Sequence, residues 1–541
     1  MNSVVNGKEG PVDVQVFDVE KCFDALWVEE CINDLYDTGF DNDKLPLLFL
    51  ENQNANIAVK TPNGTSKRVA VKNIIMQGTV WGSLCCTASM DKLGQLVYNN
   101  EDLLYKYKGV VDIPSLGMVD DVLCIQHCSE DSLKMNAAVN AFIESKKLTL
   151  SQAKCHRIHI EKKRNQTKEC QGLKVHNTVM SDSKKEKYLG DILDNSGKVR
   201  ATIEERRTKG FAIVNEILAI LEEVPLGRYR MEIGLSLRKA MLLNGILFNS
   251  EAWHGITEKE IKRLEEVDEH LLRSLVHGHA KTPLEFLYLE TGAIPIRYVI
   301  ACRRIIYLQT ILKRNDGELT KRVYMAQQQS PTNGDFYNLV KEDFEAIGES
   351  IDENTIIATA VPEYKKIIKS KIKNAALNFL QSKQSIHSKV RDIEYTNLET
   401  QGYITSPIFS DKEVSLLFAM RSMCVRECKA NFSSSYSPEQ LLCNFCTEMK
   451  RDDQPHILHC KGLKDRLKSN ELVQENIWYR DIFKTPSKQK NITSLFSKLL
   501  DIKKTLMKET DPSTLQCQVL ETSYNLQTCI VSYSSGKYTI K

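Results

Sequence analysis

Leu116-Gly117-Met118-Val119-Asp120-Asp121-Val122-Leu123-Cys124-Ile125 sets two adjacent aspartates inside an otherwise apolar run. Taking a carboxylate out of water costs several kcal/mol even after relaxation, so a buried pair needs cations, hydrogen bonds or a solvated turn. A lone Asp-Asp dipeptide reads simply as an exposed turn. The order of the segments before it supports a second reading. Val12, Val14 and Val16 alternate with Asp13, Gln15 and Phe17, the period of a half-buried strand that runs into Asp18. Phe23, Leu26, Trp27, Cys31 and Leu35 then recur at helical spacing up to Gly39, a C-cap candidate. Short strands around 57–61 and 67–71 flank Asn63-Gly64, a pair suited to a hairpin turn, and a further helix is expected after Gly78. With Asp120 and Asp121 at a hairpin tip and Asp18 at a strand end, three carboxylates would converge on a pair of divalent ions. Such a pair stabilises the attacking and leaving oxygens of an in-line phosphoryl transfer. Hard oxygen ligands favour Mg²⁺ or Mn²⁺ over zinc.

The 541 residues, 42% hydrophobic and 26% charged, leave room for three or four domains. Lys+Arg 73 against Asp+Glu 70 gives a formal charge of +3, which excludes a histone-like polycation and an acidic tail. Nucleic-acid affinity therefore has to come from local patches. One stands out: Lys146 to Lys209 holds 17 Lys+Arg against 8 Asp+Glu, directly after the aspartates. The same count also describes a solvated charged face. No window reaches about 18 consecutive apolar residues, and the polar start, Met1 to Gly10, lacks the apolar stretch of a signal peptide. An intracellular protein of cytoplasm or nucleus, without membrane contact, is the expectation. The 16 cysteines are scattered, mostly in apolar runs such as 84–87, and read as reduced core thiols.

Periodicity changes near 195–200, from mixed strands and helices to largely helical sequence. Ile213, Ile217, Leu218 and Leu221 mark one amphipathic helix; 237–248 and 261–276 mark two more. The stretch 327–335, Gln-rich with Pro331 and Asn333-Gly334, is the best linker candidate. Near the C-terminus, Cys443-x2-Cys446-x9-His456-x3-Cys460 has the spacing of a zinc knuckle, with His459 an alternative to His456. Cys424 and Cys428, at helical spacing, read as packing residues of a helix.

The ordered segments resemble the palm of a reverse transcriptase, specifically that of non-LTR (LINE-type) retrotransposons. Phe17-Asp18-Val19-Glu20-Lys21-Cys22-Phe23-Asp24 is similar to motif A, Gln77-Gly78-Thr79-Val80-Trp81-Gly82-Ser83 to motif B, and Met118-Val119-Asp120-Asp121 to motif C. The stretch 148–155, ending in Lys154-Cys155, is similar to motif D, and Tyr188-Leu189-Gly190 to motif E. The resemblance implies an α+β right-hand polymerase palm over 1–198, a helical thumb over 199–326, a helical connecting region over 336–440, a CCHC zinc knuckle over 441–465 and a tail over 466–541. It implies an RNA-directed DNA polymerase that adds deoxynucleoside triphosphates to a DNA primer 3′-OH on an RNA template, with two Mg²⁺ or Mn²⁺ ions.

By the same resemblance Asp18 and Asp120 would ligate those ions, with Asp121 beside them and the Val19 carbonyl a further ligand. Phe23 matches the steric gate against a ribose 2′-hydroxyl; it is also the first core residue of its helix. Gln77, Gly78 and Ser83 would line nucleotide and template, and Lys154 would neutralise or protonate the leaving pyrophosphate. Cys443, Cys446, His456 and Cys460 would hold Zn²⁺ and grip nucleic acid. The sequence departs from the family at Met118, where an aromatic residue is usual, and at Trp81-Gly82. Only 17 residues precede Asp18, so the family's upstream fingers have no counterpart and an N-terminally truncated element is expected. The alternative is an inactive retroelement remnant that binds nucleic acid without turnover.

Overall fold

The computed structural model describes residues 11–53, 56–71, 75, 79–127, 129–160, 172–223, 229–253, 255–467, 479–510, 532–534 and 537–539. The chain divides into two units, one of residues 1–210, 244–265 and 296–375, the other of 211–243, 266–295 and 376–541.

The first unit is built on a five-stranded sheet. Its strands are β1 (Val12–Asp18), β2 (Leu116–Met118), β3 (Asp121–Gln126), β4 (His156–Ile160) and β5 (Ser181–Asp182), in the order β5-β4-β1-β3-β2. β1 lies at the centre, antiparallel to both β3 and β4, and β5 runs parallel to β4 at the edge. Strand alternation divides the side chains between two cores. Val12, Val14 and Val16 join Leu123, Ile125, Ile158 and Ile160 beneath Tyr105 and Tyr107. Phe17, Val122 and Cys124 join the core of the opposite face, under α1 (Cys22–Ala25), α2 (Val28–Asp37), α3 (Val80–Tyr98) and α4 (Ser129–Ser145).

β1 is therefore buried on both faces, where alternation had suggested one wet face. Asp13 and Gln15 are 1% and 0% exposed. They are tolerated because each is fully engaged. Asp13 accepts from Arg157 at 2.7 Å and Ser132 at 2.9 Å and lies 2.6 Å from His159 Nδ1; Gln15 donates to the Ser132 carbonyl at 2.9 Å.

The helix expected up to Gly39 is broken in two. Trp27 adopts extended backbone between α1 and α2 and is 46% exposed, while Leu26 is 1% exposed in the core. The break lets both helices present apolar faces to one core, and Gly39, at φ 81°, ends α2 as its sequence suggests. The hairpin forms with Thr61 opposite Gly64, so the turn is Pro62-Asn63 and the positive φ falls on Gly64. α3 begins where expected, its Thr79 hydroxyl accepting from the Gly82 amide at 3.0 Å.

Helices follow at Arg200–Glu223, Tyr229–Leu237, Glu258–Val276, Leu284–Thr291 and Ile296–Leu312. The helix expected over 237–248 contains a π-helical segment, Arg238–Leu243, which delivers Arg238 to a two-bond pair with Asp268 at 2.6 and 2.7 Å. The stretch read as a linker is no linker. Gln327 lies in the helix Leu319–Gln329, is buried, and donates to the Tyr107 hydroxyl at 3.3 Å; Asp335, fully buried, pairs with Lys108 at 3.0 Å. Side-chain amides and turn formers signal a solvated loop only when no partner waits for them.

In the second unit a buried polar cluster forms around Glu290. It accepts from Tyr395, Tyr403 and both Arg421 arms at 2.5–2.9 Å, all four side chains being buried. Cys424 and Cys428 are buried as expected, but in the turns after the helix Asp411–Arg421 and not within a helix. No described helix is long and apolar enough to cross a membrane.

Candidate active site and cysteine–histidine cluster

β1 and β3 pair with Asp18 directly opposite Asp121, and β2 and β3 pair with Met118 opposite Asp121. Val119 and Asp120 are thus the two-residue tip of a hairpin, next to the end of β1. Register alone brings the three aspartates to one end of the central strands. Val119 holds φ 62°, a costly left-handed conformation for a β-branched residue. That strain sits in the turn that aims Asp120.

Motif D enters from the other side. Val19 bridges to Leu150; the bridge uses the Thr149 carbonyl, which accepts from Glu20 at 2.8 Å, and the Asp18 carbonyl, which accepts from Ser151 at 2.9 Å. The Val19 carbonyl is not consumed by that bridge. Cys155 Sγ accepts from the Asp18 amide at 3.4 Å, so the residue after Lys154 also fixes the strand end. Its signal in the sequence was only its place beside Lys154. Lys154 reaches Asp18 with Nζ at 2.8 and 3.2 Å from its two oxygens, and its side chain is 69% exposed. Burial, then the charges of Asp120 and Asp18, push the Asp121 carboxyl above its ordinary value, with Lys154 opposing. Lys154 is itself held above the usual lysine range, chiefly by its hydrogen bond to Asp18. The cluster is short of positive charge, and Lys154 is the cation that partly supplies it.

Residues 6–193 match the family model described as reverse transcriptase (RNA-dependent DNA polymerase). This part of the chain is similar to a reverse-transcriptase domain. Among its other expected site residues, Phe23 is half-buried on α1 and packs against the core, while Ser83 is exposed on the first turn of α3. Gln77 and Gly78 lie outside the described residues. Tyr188 ends one arm of a hairpin whose turn, Leu189-Gly190, has φ 46° and 87°, and its hydroxyl donates to the Leu116 carbonyl at 3.3 Å. Motif E is thereby tied to the strand that leads into the aspartate hairpin.

No curated protein matches the chain. Three telomerase structures are similar to it. One is from Candida albicans, in complex with a fragment of telomeric RNA: 14% identity, 68% of this chain, 52% of that chain, TM-score 0.29. The others are apo telomerase from Candida tropicalis, with 13% identity, 63% and 54% coverage and TM-score 0.28, and its C-terminally truncated form, with 13% identity, 36% coverage of both chains and TM-score 0.26. The chain spans between about a third and about half of the length of these telomerases.

In the second unit, the Sγ atoms of Cys443, Cys446 and Cys460 and a ring nitrogen of His456 all lie within 4.8 Å of one another. Among the described residues this is the one group of three or more such side chains that converges closely enough to hold an ion; the three aspartates share a strand end without converging to that degree. A tetrahedral zinc site with bonds of about 2.3 Å to sulfur and about 2.0 Å to nitrogen has edges of about 3.8 Å and about 3.5 Å. Cys443 and Cys460 are 3.8 Å apart, and Cys446 and His456 Nε2 are 3.4 Å apart. The donor set and its size therefore fit Zn²⁺. Asp453 caps the helix Gln454–His459, its Oδ1 accepting from the His456 amide at 2.8 Å, and the Phe445 amide donates to Cys443 Sγ at 3.4 Å. Such contacts orient ligands. His459, the alternative, is exposed and outside the group.

Proposed function

We propose that the chain is an RNA-directed DNA polymerase of the non-LTR retrotransposon type, extending a DNA primer 3′-OH with deoxynucleoside triphosphates on an RNA template. The observation that carries this reading is the strand register that sets Asp18 opposite Asp121, with Asp120 at the adjoining tip, inside a domain that matches the reverse-transcriptase family. Asp18, Asp120 and the Val19 carbonyl would hold two Mg²⁺ or Mn²⁺ ions, with Asp121 beside them, and these ions would stabilise charge on the attacking and leaving oxygens.

The chain's own residues then have distinct tasks. Lys154 carries a proton and a positive charge next to Asp18; once nucleotide is bound, its exposed, flexible stem allows the ammonium to turn toward the leaving pyrophosphate. Phe23, braced by the core behind it, offers a rigid edge against a 2′-hydroxyl. Ser83, exposed on the first turn of α3, lines the template side. The cysteine–histidine cluster takes Zn²⁺ and acts as a nucleic-acid grip without a catalytic part.

A specific observation favours a second reading. Asp18 is engaged by Lys154, as expected of a palm that binds nucleic acid without turnover. Primer extension on oligo(dT)–poly(rA) with Mg²⁺ or Mn²⁺ separates the two. Extension that disappears in Asp120→Asn supports the polymerase; salt-sensitive binding with no extension by the parent chain supports the remnant.

A further inference from the structure

We infer that the second unit carries a separate binding site for the phosphate backbone of nucleic acid, formed by Lys281 and Lys389 around the ring of Phe432, with Arg426 on a neighbouring loop. Four loops meet there. His279 and Lys281 follow the helix Glu258–Val276, Lys389 follows Val361–Gln384, Arg426 follows Asp411–Arg421, and Phe432 sits at a kink in the 3₁₀ stretch Lys429–Ser435. The Lys281 and Lys389 ammonium groups lie 5.1 and 5.5 Å from the Phe432 ring centroid, and the His279 ring is 4.9 Å from it. An aromatic face attracts cations through its quadrupole. Phe432 thus gathers two ammonium groups that repel each other and fixes them before any ligand arrives, lowering the ordering cost of binding.

All three cations are exposed. Lys389 is further held by the Asn431 carbonyl, at 2.6 Å. Two acids on the same elements are paired: Glu269 with Arg273 at 2.6 Å and Glu427 with Lys504 at 2.9 Å. His279 reports the resulting field. Burial, then Arg426, Lys281, Lys389 and Arg273, hold its imidazole below the ordinary histidine range. Such a concentration of positive charge is costly without an anion. Cations delivered by three separate loops suit a chain of successive phosphates better than one small anion. Binding here does not require turnover in the reverse-transcriptase domain, so an inactive chain tests it equally well.

The test is fluorescence anisotropy of a labelled 20-nucleotide RNA, and of the same sequence as DNA, with the full chain across 50–300 mM salt. For single strands the slope of log affinity against log salt is about 0.7 per phosphate neutralised. Lys281→Ala/Arg426→Ala should lower that slope by about 1.4 and weaken binding up to about 60-fold at 50 mM salt. Phe432→Leu, which leaves every charge in place, should weaken binding several-fold. Lys365→Ala/Lys366→Ala, an equal change of charge at two exposed positions of the first unit, should leave the slope unchanged. Thermal melting of each variant separates lost binding from lost folding. An unchanged slope in Lys281→Ala/Arg426→Ala, an equal loss in the control pair, or displacement of RNA by poly-glutamate as effectively as by unlabelled RNA would each overturn the site.

Discussion

Gly462→Ala tests the zinc reading through backbone geometry alone. A Cβ at residue 462 would lie 1.7 Å from the Phe445 carbonyl oxygen and 2.8 Å from its carbon. Both are main-chain atoms, so no rotamer change relieves the overlap. Restoring an ordinary carbon–oxygen contact requires a movement of about 1.3 Å or more. Phe445 stands between Cys443 and Cys446, and residue 462 is two positions after Cys460, so the movement falls on the ligands themselves. Metal–ligand distances tolerate about 0.2 Å, and the displacement exceeds that several-fold. Losing correct orientation around a ligand costs about 10–100-fold in metal affinity; displacing one should cost at least about 100-fold, or about 2.7 kcal/mol. Competition with a chromophoric chelator measures this, with zinc content after dialysis as a second readout. Gly402→Ala, where nothing lies within 4 Å of the added carbon, is the matched control. Wild-type zinc affinity in Gly462→Ala would refute the assignment, as would a parent chain that takes up no zinc.

Further outcomes follow from the first unit. Arg157→Met leaves the buried Asp13 without its main cation and should destabilise the domain by about 3–5 kcal/mol, read by urea unfolding; an effect under about 1 kcal/mol would show the network to be dispensable. Burial raises the Asp13 carboxyl, but the His159 hydrogen bond and Arg157 outweigh it and hold the group below its ordinary value. A depressed carboxyl contributes stability that is complete above its unfolded value, about 3.9, and lost as pH falls through the folded value. Stability should therefore fall with pH below about 4, and Asp13→Asn should flatten that dependence. Lys154→Met should slow extension while lowering the Mg²⁺ concentration needed for half-maximal rate, because it frees Asp18; an increased metal requirement would contradict the competition. Phe23→Val should raise ribonucleotide incorporation relative to deoxyribonucleotide, and unchanged selectivity would leave Phe23 a core residue only.

What was legible in the sequence was local chemistry that solvent and chain geometry constrain strongly. An aspartate pair between apolar runs has few places to go: Asp120 took the hairpin tip, and Asp121, expected there too, became the first residue of β3, opposite Asp18. Cys443, Cys446, His456 and Cys460 needed only spacing, because two short turns decide whether four ligands can meet. What stayed hidden were polar residues whose partners lie far away in the chain. Asp13 and Gln15 alternate with valines as if solvated, yet their partners are Arg157, His159 and Ser132, more than a hundred positions later. Gln327 and Asp335 read as linker for the same reason, their partners Tyr107 and Lys108 standing over two hundred positions earlier. Periodicity assigns polarity to solvent by default; only tertiary structure shows that the default fails. The consequence reaches the site. Because β1 is buried on both faces and tied down by Asp13, Asp18 leaves the core at a fixed point opposite Asp121, and the reach of Lys154 is measured from a strand that cannot shift register without stranding a buried carboxylate.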